Sequence, residues 1–200
     1  TSYQYDFTYN TQGLLDTITF PAAGSGSPFR IRHNYDFGRV SRITNAAISG
    51  ESIWTLNAQD AAGNALDVTL GSAVRVVSGF APVSGELEYR QAGIGGGTTI
   101  QNLAYVWDAN GNLKQRQDLN QGQSEEFRYD ALDRLDQSRR NGTINLELDY
   151  DPIGNIRRKS DACAGPTACY TYHATRKHAV VSAGSQAYGY DANGNMTSRG

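Results

Sequence analysis

A seven-residue pattern of ring, acid, two turn residues, glycine, polar residue and aliphatic recurs down this chain and limits what it can fold into. It reads Trp107-Asp108-Ala109-Asn110-Gly111-Asn112-Leu113, Tyr150-Asp151-Pro152-Ile153-Gly154-Asn155-Ile156 and Tyr190-Asp191-Ala192-Asn193-Gly194-Asn195-Met196. A fourth copy, Tyr129-Asp130-Ala131-Leu132-Asp133-Arg134-Leu135, carries Asp where the others have glycine. Looser copies run from Tyr9 through Gly13 to Leu15 and from Asp60 through Gly63 to Leu66. The copy Tyr35-Asp36-Phe37-Gly38-Arg39-Val40 is one residue short, and the copy from Phe80 through Gly85 to Leu87 one residue long. Self-similarity at a spacing of about 20–26 residues marks a repeat architecture.

Each copy reads as one β-hairpin. The ring ends a strand, and the Asp opens a turn in which its carboxylate accepts hydrogen bonds from backbone N–H groups two or three residues on. Pro152 supplies a φ near −65° where a type I turn wants it. The glycine sits where a short hairpin loop needs a left-handed residue and forms a bulge, and Asp133 is a tolerable substitute there. The aliphatic that follows starts the return strand.

At this spacing Tyr-Asp-x-x-Gly-Asn/Arg-Leu resembles the RHS or YD repeat of bacterial Rhs proteins, insecticidal toxin-complex B and C components, and teneurins. The resemblance runs from Tyr9 to Arg199 and rests on about nine tandem copies, not on one ordinary turn. It implies a strip of hairpins that spirals into a hollow shell around a polypeptide cargo. It further implies a bacterial protein that is secreted or held at the cell surface. An autoproteolytic core and toxin, as many bacterial members carry, would belong to sequence after Gly200.

The remaining composition agrees with a repeat sheet. A hydrophobic share of 38% is low for one large core and suits a sheet with one wetted face, while 22 Gly and 12 Tyr match many turns and many ring positions. The net charge of −2 offers no basic footprint for nucleic acid. No apolar run approaches the roughly 20 residues of a membrane helix. The chain starts with Thr and shows no signal peptide, so residues 1–200 are read as one array excised from a longer protein.

The expected class is all-β, tandem antiparallel hairpins in a coiling sheet. Tyr3, Tyr5, Phe7 and Tyr9 alternate with polar residues, which predicts a first strand with four rings on one face. Pro21 to Pro28 is a loop, and Gly93 to Gly97 is expected to be the most flexible stretch. Asn141-Gly142 predicts a two-residue type I′ turn. After it, Ile144, Leu146, Leu148 and Tyr150 alternate strictly with polar residues. Rings at equivalent positions are expected to stack across strands, each pair contributing about 0.2–1 kcal/mol. The end strands would expose unpaired edges that invite self-association.

Candidates for chemistry are few. Cys163 and Cys169 flank a turn-prone loop. A hairpin-tip disulfide is preferred if the protein reaches an oxidising compartment. A zinc site with His173 and His178 would have an unusually short gap between its ligand pairs, and free thiols are the third reading. Tyr172 to Val180 falls where a repeat is due, so these histidines are also explained by a degenerate turn, and His33 is read as a surface residue. The Asp108 and Asp191 loops resemble calcium loops but have glycine at the wrong position and lack the distal Glu. Asn141 and Asn195 begin glycosylation sequons, relevant only in a secreted eukaryotic protein. Arg139-Arg140 and Arg157-Arg158-Lys159 are read as solvated strand or edge charges.

No Ser-His-Asp set, nucleophile elbow or phosphate loop appears, and no cofactor is expected. The favoured reading is a non-catalytic wall segment whose partners are the rest of the shell and its cargo. The alternative is a binding module whose exposed rings contact glycans or a cell-surface receptor.

Overall fold

A computed structural model describes residues 4–24 and 26–200. Among these the chain forms strands and turns but no helix. The strands are β1 (Asp6–Tyr9), β2 (Leu15–Thr19), β3 (Arg30–Asp36), β4 (Arg39–Asn45), β5 (Ser52–Gln59) and β6 (Ala65–Leu70). They continue as β7 (Val74–Phe80), β8 (Leu87–Ile94), β9 (Gln101–Trp107), β10 (Leu113–Asp118), β11 (Gln123–Tyr129) and β12 (Leu135–Arg140). The last are β13 (Thr143–Tyr150), β14 (Ile156–Lys159), β15 (Tyr170–Tyr172), β16 (Val180–Ala183), β17 (Gln186–Tyr190) and β18 (Met196–Arg199). Strands lie beside their sequence neighbours from β1 to β14, and a second sheet runs in order from β15 to β18. The chain is therefore all-β, an antiparallel series of hairpins in which every odd-numbered strand runs into a copy of the motif.

Two compact units are present, one formed by residues 1–104 with 118–121, the other by 105–117 with 122–200. In the first, Leu56 pairs with Val68, Val68 with Val76, and Val76 with Ala92, so one row of small aliphatics crosses four strands. Val68, Val76 and Ala92 are its buried centre, with Trp54, Ala65 and Val74 packed around them. In the second unit the buried residues include Leu148 and Ala183 but also Gln137, Ser138 and Asn155. Among the described residues no large side chain is completely enclosed. With so little apolar burial, turn chemistry and cross-strand polar pairs must hold the register.

A bulge accompanies each well-formed hairpin, one residue into the return strand. Tyr9 pairs with Leu15 while Thr8 pairs with Thr17, leaving Asp16 unpaired, and the same step leaves out Ser41, Asp136 and Arg157. Such an extra residue bends the strand and increases its twist.

Several expectations change in detail. Tyr3 lies outside the described residues, as does Ser25 of the loop at Pro21 to Pro28. The first strand starts only at Asp6. Tyr5, just before it, meets Phe20 edge-on at 5.7 Å between centroids. Gly93 belongs to β8, opposite Arg75. Asn141 and Gly142 form the two-residue turn with φ of 49° and 79°. The alternation after it breaks: Ser138 pairs with Leu146 but Arg139 with Ile144, so Asn145 bulges and Ile144 is exposed. His33 is half-buried, and its Nδ1 is enclosed without a hydrogen-bond partner.

Candidate functional site

The repeated turn is built the same way at Asn10, Asp60, Asp108, Asp130, Asp151 and Asp191. The N–H of this first residue donates to the carbonyl four residues on, at 2.8 to 3.1 Å. The N–H three residues on donates back to its carbonyl, at 3.0 to 3.1 Å. At Asn10, Asp108, Asp130, Asp151 and Asp191 the side-chain oxygen accepts from the N–H groups two and four residues on, and Asp60 accepts from the one four residues on. At Asp151 these are Ile153 at 3.0 Å and Asn155 at 2.8 Å. At Asp191 they are Asn193 and Asn195, both 2.9 Å, and Asn10 accepts likewise from Gln12 and Leu14. The reason is the left-handed residue between: Gly154 at φ 93° swings the next N–H back toward the carboxylate, and Asp133 does the same at φ 57°.

The residue after the glycine has a part that the motif alone did not disclose. Asn64, Asn155 and Asn195 donate a side-chain N–H to the second oxygen of Asp60, Asp151 and Asp191 at 2.8, 3.0 and 3.0 Å. Arg134 does so for Asp130 through Nε at 2.8 Å. These donors hold the acids below their usual value. For Asp60 and Asp191 the side-chain amide is the main cause and the backbone N–H the next; for Asp130 it is the Arg134 guanidinium. For Asp108 the Asn112 N–H leads. Burial pushes Asp151 upward most, but the combined donors of Asn155, Ile153 and Gly154 outweigh it.

Three copies depart from the scheme. Asp36 stays in its strand opposite Arg39, and Phe37 and Gly38 make a two-residue turn with φ of 51° and 78°. In the long copy Ala81 stands first, and Gly85, at φ 80°, donates to its carbonyl at 2.9 Å. In the degenerate copy His173 takes the acid's place. Its Nδ1 accepts from the N–H groups of Thr175 and Arg176 at 3.3 and 3.2 Å.

A tyrosine hydroxyl links four of the hairpins to the one before. Tyr35 donates to the Leu15 carbonyl at 2.7 Å, and Tyr129, Tyr150 and Tyr172 donate to those of Leu113, Leu135 and Ile156 at 2.8 Å. Each acceptor is the first residue of the preceding hairpin's return strand. Burial raises the phenol values of Tyr129, Tyr150 and Tyr172, keeping them protonated donors. Tyr150→Phe is expected to destabilise the second unit by about 1–1.5 kcal/mol, because the Leu135 carbonyl loses its partner. Tyr9→Phe, at a ring 66% exposed, serves as the comparison and should lie within about 0.5 kcal/mol of the parent. Hydrogen exchange of each unit measures both.

In the second unit the turns also touch one another in sequence. Asn110 and Asn112 donate to Asp133 Oδ1 at 3.0 and 2.8 Å. Arg134 lies over the Tyr150 ring, 4.4 Å from its centroid. Asn155 Nδ2 donates to the Lys177 carbonyl at 2.9 Å, and its Oδ1 meets His178 Nδ1 at 2.7 Å. Arg176 donates to the carbonyls of Asp191 and Ala192 at 2.7 and 3.2 Å. The motif turns from Asp108 to Asp191 thus form one interlocked rim.

Other candidates are spoken for. Cys163 and Cys169 are bonded to each other, so neither is a free thiolate for zinc. Asn141 Oδ1 accepts from Ser124 N–H at 2.8 Å. The arginine runs are engaged, not merely solvated: Arg140 donates to Gln123, Arg158 to Glu147, and Lys159 pairs with Asp161. A cleft of about 480 Å³ lies over β11 to β14, but Arg128, Arg134 and Arg158 along it pair with Asp136, Asp130 and Glu147. Among the described residues no helix is long and apolar enough to cross a membrane.

No family model matches the chain, and no curated protein does. Solved structures do. A chain of the Photorhabdus luminescens Tc holotoxin pore, mutated in TccC3, matches over 100% of this chain at 14% identity and a TM-score of 0.55. A chain of the TcdB2-TccC3-Cdc42 crystal structure matches over 98% at 14% identity and a TM-score of 0.51. This chain spans 14% of the length of each. What is shared is the fold.

Proposed function

We propose that this chain, folded like a stretch of the Tc toxin chains, is a wall segment of a YD-repeat shell and contributes structure, not catalysis. Its partners are then the rest of the same shell and an enclosed polypeptide, in a bacterial protein exported to the cell surface or beyond. The observation that carries the reading is the rim. The turns at Asp108, Asp130 and Asp151 are closed by the same acid, and Tyr129, Tyr150 and Tyr172 each join their hairpin to the one before through a hydroxyl, which suits a strip meant to be extended unit by unit. Charged side chains here serve mainly as cross-strand ties, as between Arg116 and Glu125 or Arg128 and Asp136. Electron microscopy of the full-length protein tests the reading. A closed hollow body with density for a second polypeptide inside is expected, and a particle without a lumen would overturn it.

One observation favours a second reading. Tyr5, Phe7 and Tyr9 are all more than half exposed near one sheet edge, as a surface that stacks on sugars or docks on a receptor would require. Specific retention on a glycan array, lost in Tyr9→Ala, would decide for it.

A further inference from the structure

We propose that the Cys163–Cys169 disulfide is a thiol-exchange site that latches the seam between β14 and β15. The strand ladder runs unbroken to β14 and resumes at β15. Across that gap the backbone hydrogen bond is from Cys169 N–H to the Arg157 carbonyl, at 3.0 Å. Side chains supply further ones, Tyr172 to Ile156, Asn155 to Lys177, and His178 to Asn155.

Cys169 therefore stands at a junction. Its N–H reaches β14, and its carbonyl accepts from Gly184 N–H, on the turn between β16 and β17, at 3.2 Å. Its sulfur is tied to Cys163, which is buried at the start of the connecting loop and held there by its own N–H bond to the Lys159 carbonyl. The loop between them forms one wall of the charged cleft through Pro166 and Ala168, and its Gly165 carbonyl accepts from Arg158 Nε at 3.2 Å. The covalent bond thus fixes a connector that carries a backbone hydrogen bond over the gap.

A dithiol reductant would open it in two balanced steps. A thiolate attacks the sulfur of Cys169, a half-buried residue, and forms a mixed disulfide, while the Cys163–Cys169 bond breaks and Cys163 leaves as a thiolate that takes up a proton. The second thiol of the reductant then displaces Cys169. Two electrons and two protons end on the cysteines, and the reductant becomes a cyclic disulfide. The loop relaxes, the Arg157 carbonyl loses its partner, and the Arg157 to Lys159 segment opens to protease.

The latch depends on the surroundings of Cys169 and not on the shell reading. Hydrogen exchange of the chain before and after dithiothreitol tests it, with thiols counted in parallel. Air-purified chain should show no free thiol, and reduction should release both cysteines. The Cys169 and Gly184 amides should then exchange roughly 50-fold faster, the factor from reopening so short a loop. Val76 and Ala92 in the other unit should keep their rates. The double variant Cys163→Ser with Cys169→Ser should show the fast seam without reductant. Two free thiols in air-purified chain, unchanged seam exchange after full reduction, or equal acceleration at Val76 and Ala92 would each overturn the proposal.

Discussion

Asn155→Ala should destabilise the second unit by about 3 kcal/mol, several times the effect of Asn195→Ala at the equivalent turn. The two residues occupy the same motif position and make the same bond to their aspartates, at 3.0 Å each. They differ in surroundings. Asn155 is 7% exposed and also bonds the Lys177 carbonyl and His178, so removing it strands three partners at once. Asn195 is exposed, and water can replace what it loses. Denaturant titration read by hydrogen exchange of second-unit amides distinguishes them, and equal losses would contradict the idea of an interlocked rim.

Gly184→Ala should cost a comparable amount for a different reason. A Cβ placed there would lie 2.3 Å from the Ala162 carbonyl oxygen, which is backbone, and φ is +59°. Overpacking costs about 1–3 kcal/mol and a left-handed non-glycine residue about 1–2 kcal/mol, so about 3 kcal/mol is expected together. Gly194→Ala isolates the second part, since its φ is +86° but a Cβ would meet nothing within 4 Å. Gly184→Asn sharpens the comparison. Asn tolerates the left-handed region, so if it restores stability the close approach to Ala162 is not what demands glycine. Thermal unfolding of the three variants gives the answer.

The legible part of this fold was local. An acid, a glycine three residues on and an aliphatic after it make a turn wherever they stand, so the hairpins and their order follow from spacing. Asn141-Gly142 is the same case. What connects the hairpins was not legible, because Tyr150 finds its acceptor at Leu135, in a different hairpin, and no pattern within a copy points there. Ring spacing alone predicts stacking, whereas the tyrosines at 35, 129, 150 and 172 act through their hydroxyls. The part of Asn155 could have been found, since Asn64, Asn112 and Asn195 stand at the same place in their copies. Ile144 departs from the alternation because one bulge at Asn145 turns every earlier side chain of β13 to the other face. The gap after β14 was hidden because the cysteine loop carries no motif residues.

The hydroxyl bond also gives the ribbon a direction. Leu113, Leu135 and Ile156 each have their carbonyl capped by a ring that comes later in the chain, so this bond always runs from a hairpin back to the one before it. During synthesis, the newest hairpin therefore waits with that carbonyl uncapped until the following one emerges. Gain or loss of a whole hairpin within the stretch from Leu113 to Tyr172 leaves a ring facing the same kind of acceptor, because Tyr129, Tyr150 and Tyr172 all meet the first carbonyl of a return strand. Arrays of this kind can change length in whole units at little cost to the units that remain.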